Sequence, residues 1–557
     1  MRQKLSLLFL LTFFIAFAQE RDFKFGRLSA QEIKLTEVPF EKNADAVILS
    51  EEGKMDLTNN QYYLTVKRRI KILTEKGIEE ANIQLSYYSD KKRENIIAIK
   101  GNTINVVNGE TVVTPIDEKE IFDVKINELY SGKRFTFPNV KVGSIIEYTY
   151  QKSSDFNFSI DAWNFQHPLP TLYSEFRMKN SSYGSYSIIT IGDELNLKYK
   201  GKPNAINWSL SNLKSNKQLK YVYNQEDQSE RIKFQAAAYH TEGTSKSTLI
   251  AWRDLINDVN SDYETYRNPS AMKEIANTIP NGKDEMETLR NVVAFMDENV
   301  KWNNFYSIIP NRSNRNLLKN KVGTSADMNL MLNEILTAKG IQSSLVLYST
   351  RSHGQVLFSY PFVNQFNSVL TSVSLKNGQS LVLDAAQLNK QQIEFGPINA
   401  FNYHGVVIAR GDVRFVKLTQ KISTYEEILS YQFTKGQVIL NRKDRFNGYF
   451  YNENTKDENV LKRYVTESLE MQLDAESDEK LDFQNGFYSK IYRAKNQELN
   501  APFYTFINPL REFLKQYTFE DQHRQRKIEF QFPYLFNIQV QAKIPENYEL
   551  ILDNKFR

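Results

Sequence analysis

From about residue 60 to residue 240 the apolar side chains follow a period of two, and after residue 249 they follow a helical one. Leu64, Val66, Ile70 and Ile72 alternate with Thr65, Lys67, Arg69 and Lys71. Only an extended strand places such residues on one face. Ile83, Leu85 and Tyr87 repeat the pattern. Val106-Val107-Asn108-Gly109 followed by Val112-Val113 predicts a tight hairpin, because Asn-Gly accepts the positive φ of a type I′ turn. Phe135-Thr136-Phe137-Pro138 leads through Val142-Gly143 to Ile146, Tyr148 and Tyr150, and further strands fall between Phe176 and Ile191. Short strands with turn signals between them predict an N-terminal antiparallel β-sandwich over 19–240. Lys67-Arg68-Arg69 lies on one of these strands and is expected to mark an exposed sheet edge.

Leu249, Trp252, Leu255, Ile256 and Val259 have helical spacing, as do Met286, Leu289, Val293, Met296 and Val300. A third helix is capped by Thr324-Ser325, carries Met328, Met331, Leu332, Ile335 and Leu336 on one face, and stops at Gly340. Leu345–Tyr348, Val369–Val373 and Leu381–Leu383 then read as strands, giving a central domain over 246–400. From 405 to 557 strands return. Tyr431–Phe433 and Val438–Leu440 form a hairpin about Gly436, Ile528–Phe530 and Ile538–Val540 are strands, and a helix is expected over Asn459–Met471. No closing element follows the strand-like Tyr548–Leu552, which leaves open that this C-terminal β-domain is incomplete. The fold class is multidomain α+β. At roughly 150 residues per domain, 557 residues suit three or four domains.

The composition removes several chemistries. There is no cysteine, which excludes disulfides, thiolate metal sites and a cysteine nucleophile. The formal net charge of +5 gives no electrostatic reason to expect nucleic acid. His167, His240, His353, His404 and His523 show no i, i+4 pair, so no metal is expected, and the lack of a dinucleotide or phosphate-binding glycine motif leaves no cofactor expected. Residues 1–18 join Arg2 and Lys4 to an apolar run ending in Ala16-Phe17-Ala18, the pattern of a secretory signal peptide. The mature chain carries no long apolar run and is expected to be periplasmic, outer-membrane-associated or secreted, with no membrane span.

The segment Gly323-Thr324-Ser325-Ala326-Asp327, the helix to Leu336, Lys339-Gly340-Ile341, the strand Ser344–Tyr348, Phe366-Asn367-Ser368-Val369 and Leu381-Val382-Leu383-Asp384 together resemble the transglutaminase-like superfamily, in its bacterial, papain-like form. The stretches Phe135–Tyr150 and Trp163–Gln166 resemble the uncharacterised β-domain that precedes such cores in exported bacterial proteins. The resemblance implies a Cys at the start of the core helix, a His on a following strand and an Asp that orients the His. Matched by position these are Ser325, Ser368 and Asp384, so that Asp384 alone keeps the family's residue. A serine hydroxyl needs a base within reach, and Ser368 supplies none. His353 is the nearby imidazole in sequence and the alternative base.

The resemblance implies an exported non-catalytic protein, a pseudoenzyme that binds or scaffolds an envelope protein, peptide or polysaccharide. One alternative is an amide hydrolase or acyl-transferase with Ser325 as nucleophile, His353 as base and Asp384 as support. The other is a purely structural envelope component with a filled site. Beside these stand plainer roles: Ser325 as a helix N-cap, Asp384 as a strand-end residue bound to backbone amides, His353 as a surface loop residue and Trp302 as core packing.

Overall fold

The long strand Tyr62–Ile72 sits in the middle of a seven-stranded sheet, which determines most of what surrounds it. The structure is a computed structural model that describes residues 24–450 apart from 59–60, 128, 156–159, 180–183, 201, 203–205, 217–219, 242–243, 248–250, 389–392 and 435–436, and then 472–482, 487–495, 528–546 and 549. The signal peptide expected over 1–18, the helix expected over Asn459–Met471 and most of the strand-like Tyr548–Leu552 lie outside the described residues. The protein is multidomain α+β and divides into two units, residues 1–218 with 225–249, and residues 219–224 with 250–557.

In the first unit the strands of the large sheet run, in spatial order, Asn207–Leu213, Thr171–Met178, Ala46–Leu57, Tyr62–Ile72, Ile145–Ser154, Glu94–Val107 and Glu110–Pro115. Ala46–Leu57 and Thr171–Met178 run parallel, and the other neighbours are antiparallel. The hairpin between Val107 and Glu110 forms as its sequence predicts, with φ of 52° at Asn108 and 86° at Gly109. A three-stranded sheet (Asn82–Tyr88, Tyr130–Thr136, Phe122–Lys125) shares a buried cluster with the large sheet that joins Ile48, Ile70, Ile146 and Tyr148 to Phe135 and Phe137. A second small sheet, built on Gly184–Ile191 and Arg231–Thr241, contributes Ile232 and Phe234 to a cluster with Leu64, Val66, Phe176 and Trp208.

Lys67-Arg68-Arg69 is not at an edge. Arg69 is buried, with Nη2 2.7 Å from Glu147 and Nη1 2.8 Å from Glu32. Arg68 Nε donates to Glu51 at 2.8 Å, and Glu51 also accepts from Ser174 Oγ at 3.0 Å and lies 2.8 Å from His167 Nε2. A central strand tolerates these charges because each meets a carboxylate and further hydrogen bonds, without which burial would be prohibitive. The carboxylates come from distant parts of the chain, so alternation alone cannot reveal the pairing.

The second unit opens with helices Trp252–Glu264, Pro269–Thr278 and Glu285–Asn299, then Asn314–Asn320 and Ser325–Ala338. The sequence spacing anticipates the first, third and last of these. Pro269–Thr278 was not anticipated, although Asn268 caps it and Pro269 takes its first turn, a start signal that its short apolar face does not reinforce. Helix Ser325–Ala338 is buried from residue 325 to residue 336. It ends at Gly340, whose φ of 73° suits a glycine after the last turn. An antiparallel sheet follows in the order Ser380–Leu383, Ser368–Ser374, Gln342–Tyr348, His404–Val407, Phe415–Lys417. Leu345, Leu347 and Val369 pack with Ala326 and Leu330 of the helix. Val346, Tyr348 and Leu370 belong to a different cluster, with Tyr425, Phe446 and Phe532. Those last residues belong to or flank another five-stranded sheet, in which Ser423–Thr434 pairs antiparallel with Gln437–Phe446, as expected, and parallel with Tyr534–Lys543. Residues 528–530, expected to be a strand, form none.

Candidate functional site

The start of helix Ser325–Ala338 is fixed by a capping box. Thr324 Oγ1 accepts from the Asp327 amide at 3.2 Å, and Asp327 Oδ2 accepts from the Thr324 amide at 2.9 Å. Thr324 is therefore the N-cap. Ser325 is the first helical residue, and its side chain is released for other contacts.

Those contacts are made inside the protein. Ser325 Oγ accepts from the Ser307 amide at 2.9 Å, donates to the Ser307 carbonyl at 3.2 Å, and accepts from Ser368 Oγ at 2.9 Å. Ser325 and Ser368 are both 0% exposed. Asp384, 1% exposed, follows strand Ser380–Leu383 and caps the short turn Ala385–Gln387. Its Oδ1 accepts from Asn329 Nδ2 at 2.8 Å and from the Ala386 amide at 3.0 Å, and its Oδ2 accepts from the Tyr348 hydroxyl at 3.2 Å. Burial raises the Asp384 pKa, opposed by these three bonds. Tyr348 stands directly opposite Ser368 in the strand ladder, which brings its phenol between Ser368 and Asp384. Burial and then the Asp384 charge push its pKa well above the ordinary phenol value.

The three positions matched from sequence thus lie in one buried polar chain. Ser325 touches Ser368 directly, and Asn329 Nδ2, bonded to the Ser325 carbonyl and to Asp384, joins the two ends. Sequence reasoning missed Ser307, Tyr348, Asn329 and Thr371. Asn329 had a signal, because it stands four residues after Ser325 and so shares its helix face. Its Nδ2 also donates to the Ser325 carbonyl at 2.9 Å, and its Oδ1 accepts from Thr371 Oγ1 at 3.2 Å and the Ala385 amide at 3.1 Å. Ser307 and Tyr348 have no local pattern that distinguishes them.

His353 lies elsewhere in its bonding. Its Nε2 is 3.0 Å from the Asn364 carbonyl, and the residue is exposed at the end of the short helical turn Arg351–His353. Among the described residues, no imidazole is within hydrogen-bond distance of Ser325 Oγ or of the Asp384 carboxylate. The Ser325–His353–Asp384 arrangement is not assembled.

The segment 303–312 covers the helix start. The Ser325 amide donates to the Phe305 carbonyl at 3.1 Å, and Asp327 Oδ1 accepts from the amides of Asn311 at 2.7 Å and Arg312 at 2.9 Å. Tyr263 Oη donates to the Ile308 carbonyl at 3.0 Å. Trp302 packs against the helical core and donates from Nε1 to the Phe305 carbonyl at 3.0 Å, so its contacts are those of a packing residue. Among the described residues no three His, Cys, Asp or Glu side chains converge as metal ligands, and no helix is long and apolar enough to cross a membrane.

Residues 58–229 match the family described as "Domain of Unknown Function with solved-structure structure (DUF3857)". A comparison with curated proteins finds no match. Among solved structures, a "putative protease" from Parabacteroides distasonis is similar at 10% identity and a TM-score of 0.54, over 82% of this chain and 94% of that one. That likeness is one of fold. Yeast LTA4 hydrolase in complex with bestatin gives a TM-score of 0.18 at 8% identity, covering 30% of this chain and 27% of its own. An aminopeptidase A from Legionella pneumophila gives 0.19 at 7%, covering 41% and 27%.

Proposed function

We propose that this chain is an exported, non-catalytic pseudoenzyme that acts as a binding or scaffold module at the cell envelope. In this reading a β-sandwich domain leads into a degenerate transglutaminase-like core, and a β-sandwich-like domain follows. Ser325 and Ser368 stand where relatives carry Cys and His, Asp384 is retained, and the partner is an envelope protein, a peptide or a polysaccharide.

The observation that carries the reading is the bonding of Ser325. Its hydroxyl is buried, bonded on both sides to the Ser307 backbone, and faces another hydroxyl where a base would be needed. A serine nucleophile requires a neighbouring group that takes its proton. Ser368 is a poor acceptor of that proton, and Tyr348, raised by burial, is a weak acid that holds its own. The fold-level likeness to the Parabacteroides protein supports the architecture without supplying an activity. The full burial of Ser325, Ser368 and Asp384 also favours a second reading, a purely structural envelope component whose ancestral site is filled.

A fluorophosphonate probe tests the non-catalytic reading. The intact protein is expected to remain unlabelled between pH 6 and 9 while a serine hydrolase standard is labelled. Covalent labelling at Ser325, abolished in Ser325→Ala, would overturn it. Binding of the full chain to an envelope peptidoglycan or polysaccharide array separates the scaffold reading from the structural one. Export predicts a mature protein whose first residue is Gln19, which N-terminal sequencing reads directly.

A further inference from the structure

We propose that Tyr348 is the residue that keeps this site closed: its phenol occupies the span between position 368 and the Asp384 carboxylate, so that the carboxylate orients a phenol where an imidazole at 368 would have to stand. The proposal rests on the transglutaminase-like reading above and adds to it the side chain that holds the site shut.

Tyr348 and Ser368 are direct partners in the antiparallel ladder of Gln342–Tyr348 and Ser368–Ser374. Directly opposed residues project to the same side of a sheet, with their Cβ atoms about 5 Å apart. Ser368 carries one atom beyond Cβ, and that atom is used at Ser325, 2.9 Å away. The Tyr348 hydroxyl continues to Asp384 Oδ2 at 3.2 Å. Ser368 is thus bonded to Ser325, and its ladder partner Tyr348 is bonded to Asp384. A nucleophile, base and orienting carboxylate instead need a single ring that touches both the first and the last. The carboxylate contact of such a ring is already made by the phenol.

Neither partner is able to step aside cheaply. Tyr348 is 0% exposed and packed among Val346, Leu370, Phe401 and Tyr425. The other oxygen of Asp384 is held by Asn329 and the Ala386 amide. Rotating the carboxylate toward a different group breaks both bonds in a buried setting. Restoring an imidazole at 368 by itself places a ring in filled space next to an occupied carboxylate.

The absence of cysteine gives a clean test, because Ser325→Cys introduces a single thiol into the whole chain. Iodoacetamide alkylation is followed from pH 5 to 9 in full-length Ser325→Cys/Ser368→His, in the same pair with Tyr348→Ala, and in Ser325→Cys/Tyr348→Ala. The titratable groups facing Tyr348 are Asp384 and Tyr306, and both are retained throughout. At about pH 6 the triple variant is expected to react roughly tenfold or more faster than either other variant, because an adjacent imidazolium lowers a thiol pKa. A double variant as reactive as the triple would overturn the role of Tyr348. A triple variant no faster than Ser325→Cys/Tyr348→Ala would overturn it as well. Circular dichroism and a thermal melt check each fold, and if Tyr348→Ala does not fold, Tyr348→Leu in the same background keeps the volume, lacks the hydroxyl and is judged by the same two comparisons. Fluorophosphonate labelling of the wild-type chain, run alongside, would count against the non-catalytic reading itself, whereas the alkylation comparison bears on Tyr348.

Discussion

Asn329 and Glu51 show how single polar side chains hold each unit, and each yields a measurable expectation. Asn329 is buried with both ends of its amide in use, toward Ser325 and Asp384 on one side and Thr371 and Ala385 on the other. Asn329→Ala removes these partners and leaves a buried carboxylate with fewer donors. It is expected to destabilise the second unit by about 2–4 kcal/mol in urea denaturation. Asn329→Asp is expected to be no better tolerated above pH 6, since it sets a second carboxylate against Asp384. Glu51 is a matter of pH. Burial raises its pKa, but Arg68 and His167 outweigh burial and hold it at about 2, against an ordinary 4.5. A depressed carboxyl contributes stability that is complete above the unfolded value and is lost as the pH falls through the folded one. The contribution, about 3 kcal/mol at most, is expected to fade between about pH 4.5 and 2. A Glu51→Gln variant should lack that part of the acid profile, and parallel wild-type and variant curves over this range would contradict the assignment.

At the scale of elements, helix Ser325–Ala338 and the segment 303–312 act together. The capping box commits Asp327 Oδ2 to the helix start, while Oδ1 holds the amides of Asn311 and Arg312. Asp327→Ala is thus expected to do two things. It should cost roughly 1–3 kcal/mol, as loss of a cap and of buried partners does. It should also increase hydrogen exchange in 303–312 well beyond any change in strand Tyr62–Ile72. Equal exchange of 303–312 in variant and wild type would show that the covering segment is held by Ser325 and Tyr263 instead. The existence and limits of this helix were legible because a cap, an apolar face and a terminal glycine agree on them. The covering segment was not, since its bonds are to backbone groups, which any sequence offers.

For the whole molecule, the two units carry separate apolar clusters. One is centred on Phe176 and Trp208, another on Leu332 and Met331. Leu332→Ala is expected to cost about 2–5 kcal/mol in hydrogen-exchange protection of helix Ser325–Ala338. It should leave protection of Tyr62–Ile72 within about 0.5 kcal/mol, as residues without shared partners do. A uniform loss across both would show that they unfold as one. The sequence by itself determined the alternation of the first unit, the helical start of the second and the presence of serine at 325 and 368 in a chain without cysteine, because periodicity and residue identity are local properties of the chain. Only the tertiary structure decided that Lys67–Arg69 lies on a central strand, that His353 bonds away from Ser325, and that Tyr348 donates to Asp384. Each of these depends on which distant side chain a fold places within about 3 Å, and a one-dimensional pattern carries no record of that distance.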